Sequence, residues 1–182
     1  MPSIRPHRPW SDRRRPAEAA GRTVKIAIVA IGRLKKGPER EIADRLIARA
    51  EAAGRANSLS FTVREFPESR AGDEKTRRNQ EAEALISAIP EKAVLVALDE
   101  HGETLDSRGF AGRLEKWRDS GVPAVCFAIG GADGHGDAIR KRSNLQIAFG
   151  SMTWPHQLAR LMLAEQLYRA ITILSGHPYH RD

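Results

Sequence analysis

Three apolar runs, VKIAIVAI at 24–31, KAVLVALD at 92–99 and VPAVCFAIGG at 122–131, and one alternating run rich in β-formers, SLSFTVREF at 58–66, punctuate the chain. Each has the length of a strand, and the segments between them carry helical rather than alternating periodicity. Strands separated by helices pair side by side only through crossovers, so their sheet is mostly parallel and its faces are covered by helices. The pattern predicts an α/β fold with a mostly parallel sheet and helices on both faces.

The helices are delimited by ordinary signals. One is expected to open near Pro38 and close at Gly54, a charged one to run over residues 73 to about 89, and a third to start at Asp106 or Ser107 and pass through Trp117. The run EHGETLDS before that third helix reads as a loop. A short helix at 137–142 and a short strand at 145–149 precede a last helix, which opens at Pro155 and extends to about Leu174. No internal repeat is visible.

With 182 residues, 41% hydrophobic and 29% charged, the chain fits one domain with a real core. The lone Cys126 lies inside an apolar strand, which suits a buried thiol in a reducing compartment. No run approaches the ~18 apolar residues of a membrane span. The first residues lack the apolar middle of a secretory signal, so a cytoplasmic location is expected, with no membrane partner. The net charge of +7 divides unevenly. Residues 1–22 set six arginines against Asp12 and Glu18, giving +4 and leaving +3 for the rest. With four prolines and no apolar period, that segment is expected to be disordered, either as an RNA-touching arm or as an upstream-start remnant. The remaining 23–182 read as a single domain.

In open α/β sheets ligands bind beyond the carboxyl ends of the strands. Three segments end strands in that way: ALDEHGE, AIGGADGHG and FGSMTWPH. The glycines from Gly130 to Gly136 permit close backbone approach, but neither GxGxxG nor GxxxxGK[ST] is present. A plain tight turn explains the run about as well as a ligand does. Helix SMTWPHQLARLMLAEQLYRAITIL carries Leu158, Leu161, Met162, Leu167, Ile171 and Leu174 around much of its circumference. That fits either a homodimer contact or a helix sandwiched inside one core. Glu165 and Arg169 are spaced to pair. His156, His177 and His180 lack any metal-ligand pattern, so no metal is expected. Beside Tyr179 and Arg181, His180 can instead handle protons or phosphate.

The segments LDEHGETLDSRGFAGRLEKW, FAIGGADGH and SMTWPHQLARLMLAEQLYRAI, with the end HPYHR, resemble the bacterial 23S rRNA pseudouridine N3-methyltransferase family of the SPOUT class. The resemblance covers roughly residues 24–182. It implies a C-terminal trefoil knot, a homodimer, and S-adenosylmethionine as methyl donor, leaving S-adenosylhomocysteine. Its implied substrate is a pseudouridine in helix 69 of 23S rRNA, methylated on the 70S ribosome or the 50S subunit. Cofactor contacts carried over by motif fall on Leu98, Gly130, Gly131, Phe149, Gly150, Ser151, Met152, Thr153 and Trp154. Ala148 and Gly150 stand where family members tend to carry serines, and Trp154 where they carry a smaller apolar residue. A loop that holds its ligand by backbone groups tolerates such changes. For the N3 imide proton, His180 is the preferred base or relay, with Tyr179 orienting the base, Arg181 holding phosphate or developing charge, and Arg169 ordering the tail or touching RNA. Two other readings share part of this evidence: a noncatalytic RNA-binding or ribosome-associated module, and a SPOUT methyltransferase for a different RNA.

Overall fold

Burial along the first strand alternates between two separate apolar clusters, which is what a central strand covered on both faces must do. In the computed structural model, which describes residues 23–179, Ile26, Ile28 and Ala30 of β1 (Val24–Ile31) join one cluster. Ala27, Val29 and Ile31 join the other. β4 (Ala124–Ile129) divides in the same way, with Val125, Phe127 and Ile129 on the first face and Ala124, Cys126 and Ala128 on the second. The expected disorder of residues 1–22 lies outside the described residues.

Among the described residues the sheet has five strands in the order β2-β1-β4-β3-β5, and every adjacent pair is parallel. β2 is Leu59–Phe66, β3 Val94–Thr104 and β5 Leu145–Ala148. Helices α1 (Pro38–Gly54), α3 (Ser107–Asp119) and α5 (His156–Leu174) cover the first face. There Ala50, Phe110, Leu114, Leu163, Leu167 and Ile171 are buried, and the Phe110 ring meets Phe127 with centroids 5.8 Å apart. Helices α2 (Glu74–Ser87) and α4 (Asp137–Arg142) cover the second face through Ala82, Leu85 and Ile139. The expected α/β architecture with helices on both faces is therefore present.

Two of the helix starts, those of α2 and α3, follow from side-chain caps. Asp73 accepts from the Thr76 N–H at 2.8 Å, and Asp106 accepts from the Gly109 N–H at 2.6 Å, so each satisfies a donor that the first turn leaves open. The boundaries depart from expectation in several places. β2 begins at Leu59, because Arg55–Asn57 form a 3-10 turn and Ser58 takes a positive φ. β4 stops at Ile129, because Gly131 pairs with Gly134 across its own turn instead of with the sheet.

The largest correction concerns EHGET, expected as loop. It continues β3, since after a register shift Glu103 and Thr104 pair with Ile147 and Ala148 of β5. Gly102 makes the shift possible, because a Cβ there would lie 2.6 Å from the backbone of Gln146 and Ile147. Among the described residues no helix is long and apolar enough to cross a membrane. Cys126 is fully buried, and burial pushes its thiol pKa up, as a structural cysteine requires.

Candidate active site

Strand register alone groups the expected cofactor positions. Leu98, inside β3, pairs with Ile129 of β4 and with Ile147 of β5, the last or next-to-last residues of those strands. It therefore stands beside Gly130 with Gly131, just beyond β4, and the run from Phe149 to Trp154, just beyond β5.

The glycine-rich segment is a closed turn clamped from α2. Gly134 N–H donates to the Gly131 carbonyl at 3.0 Å, and Gly134 has φ +76. Arg77 Nε donates to the Asp133 carboxylate at 2.6 Å, and Arg78 Nε to the Asp133 carbonyl at 2.7 Å. The Arg77 contact holds the Asp133 carboxyl below its ordinary range. Gly130 must be glycine, since a Cβ would stand 2.9 Å from the Gly134 backbone carbon.

Beneath the turn, the buried Asp99 accepts from the His101 N–H at 3.1 Å and from Arg140 Nε at 2.9 Å. Burial pushes its carboxyl up, but the His101 and Arg140 hydrogen bonds and the Arg140 charge outweigh that, leaving the net shift downward. His135 is buried close by, its ring nitrogens near the backbone of Ala128 and Leu98 but without a hydrogen bond of good geometry. Burial lowers its pKa against the opposing pull of Asp99.

The loop after β5 folds on itself. Gly150 has φ +105, Trp154 Nε1 donates to the Phe149 carbonyl at 3.2 Å, and Thr153 Oγ1 reaches Glu100 at 3.0 Å. Met152 remains 70% exposed and Trp154 40%. A cavity of about 730 Å³ opens beside this loop. It is walled by Ile42 and Leu46 of α1, by residues 104–107 ahead of α3, by Phe149 and Gly150, and by Leu161, Met162, Glu165 and Gln166 of α5. Phe149 and Gly150 are thus the expected cofactor residues that line it. Leu98, Gly130, Gly131 and residues 151–154 are grouped at the same strand ends but outside its lining.

α5 settles part of the helix question. Leu167 and Ile171 are core, whereas Leu161 and Met162 face the cavity and Leu158 is exposed. The expected Glu165–Arg169 pair forms, with Arg169 Nε 2.9 Å from Glu165. Tyr179 lies back over this pair: its hydroxyl is 3.4 Å from Glu165, its ring packs on Tyr168 at 4.7 Å, and the Arg169 guanidinium sits 5.2 Å from the ring centroid. The start of the tail therefore reaches the cavity rim through Glu165. His180 and Arg181 lie outside the described residues. Of the other histidines, His156 faces Glu68 at 3.8 Å and His177 accepts from the Tyr179 N–H at 3.2 Å. Among the described residues no group of three or more His, Cys, Asp or Glu could hold a metal.

Sequence reasoning missed a buried ionic cluster at the root of α5. Arg160, 3% exposed, pairs with Glu65 and donates through Nη2 to the carbonyls of Gly32 (2.8 Å) and Ile31 (3.2 Å). Glu65 also accepts from Arg40 at 2.8 Å and from the Leu34 N–H at 3.1 Å. Burial pushes the Glu65 carboxyl up, but these donors and the two guanidinium charges outweigh it, and the net shift is downward. A signal was available, since Arg160 stands three, four and seven residues before the buried Leu163, Ala164 and Leu167, on the apolar stripe.

Known proteins give an independent comparison. The family model described as "Predicted SPOUT methyltransferase" matches residues 24–180. A protein of Bradyrhizobium diazoefficiens named "Ribosomal RNA large subunit methyltransferase H" is 55% identical over 87% of this chain and 99% of its own. One of the same name from Nitrobacter hamburgensis is 54% identical over the same shares. Among solved structures, the SpoU methyltransferase AviRb from Streptomyces viridochromogenes is 18% identical with a TM-score of 0.41, covering 87% of this chain and 61% of that one. That likeness is too slight to bear on the fold.

Proposed function

The chain belongs to the SPOUT methyltransferase family, and from that premise we propose that it methylates N3 of a pseudouridine in helix 69 of 23S rRNA, on the 70S ribosome or the 50S subunit. S-adenosylmethionine is the proposed donor and a cytoplasmic homodimer the proposed working unit. The trefoil knot implied by the resemblance is part of the same reading. The observation that carries it is the convergence of Leu98, Gly130 and Phe149–Trp154 toward the carboxyl ends of β4 and β5, where the register of β3 with these strands sets them side by side. The relatives named for large-subunit rRNA support the substrate class.

The residues present fit such a donor. A concave, mainly apolar cavity of about 730 Å³ is of the size that takes small organic ligands. The backbone at Gly150, which lines the cavity with open space where a Cβ would stand, carries no side chain that would keep a ligand at a distance. The donor, once bound, supplies an electrophilic methyl group on a sulfonium. The work left to the protein is alignment of the acceptor nitrogen and removal of its proton. Phe149 and Gly150 line the cavity and would hold the cofactor there, and the Trp154–Phe149 bond keeps the loop in shape. Glu165 and Arg169 order the tail through Tyr179. His180 takes the imide proton or relays it, and Arg181 balances the charge that develops on the base.

The test has two parts. Mass spectrometry of helix 69 from ribosomes with and without the gene should differ by one methyl group, and calorimetry should show S-adenosylmethionine binding. No cofactor binding at millimolar concentration would favour a noncatalytic RNA-binding module, and methylation of a different RNA would reject the assigned substrate.

A further inference from the structure

Three exposed cations, Arg33, Lys35 and Lys36, stand within four residues where the chain leaves β1. None of them makes a hydrogen bond or an ion pair with another described residue. Exposed lysines are ordinarily just solvated. What separates these from the rest is the place and the stiffness of their loop. Gly32 lies against the first residue of α5, since a Cβ there would be 2.9 Å from His156 Nε2. His156 directly follows the 149–155 segment, so the cations stand beside the proposed methyl-transfer site.

The loop is also fastened at its start, as far as Leu34. The carbonyls of Ile31 and Gly32 accept from Arg160, the Gly32 N–H donates to Phe66 at 2.8 Å, and the Leu34 N–H donates to Glu65. Of the acids near the loop, Glu65 is engaged with Arg40 and Arg160, while the exposed Glu39 and Glu41 in the first turn of α1 offset part of the charge without pairing with it. A positive loop whose backbone is held at its start loses little main-chain freedom when it grips a polyanion.

We propose that Arg33, Lys35 and Lys36 form a contact surface for the sugar-phosphate backbone of the RNA substrate, set apart from the cofactor residues. The proposal rests on the reading of the chain as an rRNA methyltransferase. Each phosphate neutralised lowers the slope of log affinity against log salt by ~0.7–0.9. The full-length R33Q/K35Q/K36Q variant should therefore bind purified ribosomes lacking the modification with a slope shallower by about 2–3. Its affinity for S-adenosylmethionine should match the wild type, which also reports an intact fold. The charge-preserving R33K/K35R/K36R variant should keep the wild-type slope, as should K92Q in the turn before β3 at the opposite edge. A wild-type slope in the neutralised variant overturns the proposal, and so does a wild-type protein that binds no ribosomes. A shallower slope in an enzyme whose wild type transfers no methyl group would support the phosphate contact and reject the methylation reading.

Discussion

Replacing Arg160 by methionine removes one partner of a buried ion pair and leaves the other in place. Such a change typically costs ~3–5 kcal/mol, because the remaining charge stays buried without compensation. Here Glu65 is 16% exposed and keeps Arg40 and the Leu34 N–H, which puts the cost near the lower limit, about 3 kcal/mol. For a chain of this length that is a fall in Tm of about 6–12 °C. E65L should cost more than R160M, since the guanidinium it strands is the less exposed partner. The double variant E65L/R160M should be more stable than either single one. Urea denaturation of all four proteins closes the cycle, with an expected coupling of ~2 kcal/mol or more. The pH dependence has a definite sign. The net depression of the Glu65 pKa below its ordinary 4.5 makes the unfolded chain bind more protons on acidification, so this stabilisation is present above that value and lost as pH falls through the folded pKa. R160M lets the Glu65 pKa climb back and flattens that acid limb. Additive single costs, or an unchanged acid limb, would refute the account of the cluster.

Other consequences can be checked on the same preparations. H135L removes two buried nitrogens that lie near the backbone of Ala128 and Leu98 without a hydrogen bond of good geometry, so equilibrium unfolding near neutral pH should change little, whereas a loss above ~1.5 kcal/mol would mean the ring is bonded. Because the pKa of His135 is lowered by burial, the wild type loses stability as pH falls below about 6.5, and H135L should lose less over that window. G102A forces a Cβ onto the backbone of β5 and should destabilise by about 1–3 kcal/mol. G112A, in the interior of α3 with nothing within 4 Å of the new methyl, should stabilise by about 0.5–1 kcal/mol in the same assay.

Much of the fold was readable because burial is written directly into the strands. VKIAIVAI and VPAVCFAIGG are apolar at nearly every position, and only a strand covered on both faces needs that. Caps such as Asp106 and breakers such as Gly54 gave the helix ends to within a residue or two. The extension of β3 was not readable, since its pairing with β5 depends on a register shift at a glycine among charged residues. The strand-end loops of the candidate site were legible from general α/β geometry. The cavity was not, because it is assembled from α1, α5 and the entrance to α3, whose proximity depends on topology. Arg160 and Glu65 escaped for a related reason. Arg160 stood out as a cation on an apolar stripe, but Glu65 is ordinary within β2, and the pairing appears only when α5 lies across the ends of β1 and β2.

β1 is the first strand to leave the ribosome, and its neighbour β2 follows after a single helix. On its other side β1 waits for β4, about a hundred residues later, which at translation rates of ~5–20 residues per second is about 5 to 20 s. β3 waits too, because β4 occupies the slot between them. One late strand therefore closes two apolar edges together, and completion of the sheet depends on long-range pairing that is intrinsically slow. A chain halted after α3 would present both open edges at once, the configuration most prone to pairing with its neighbours on a polysome.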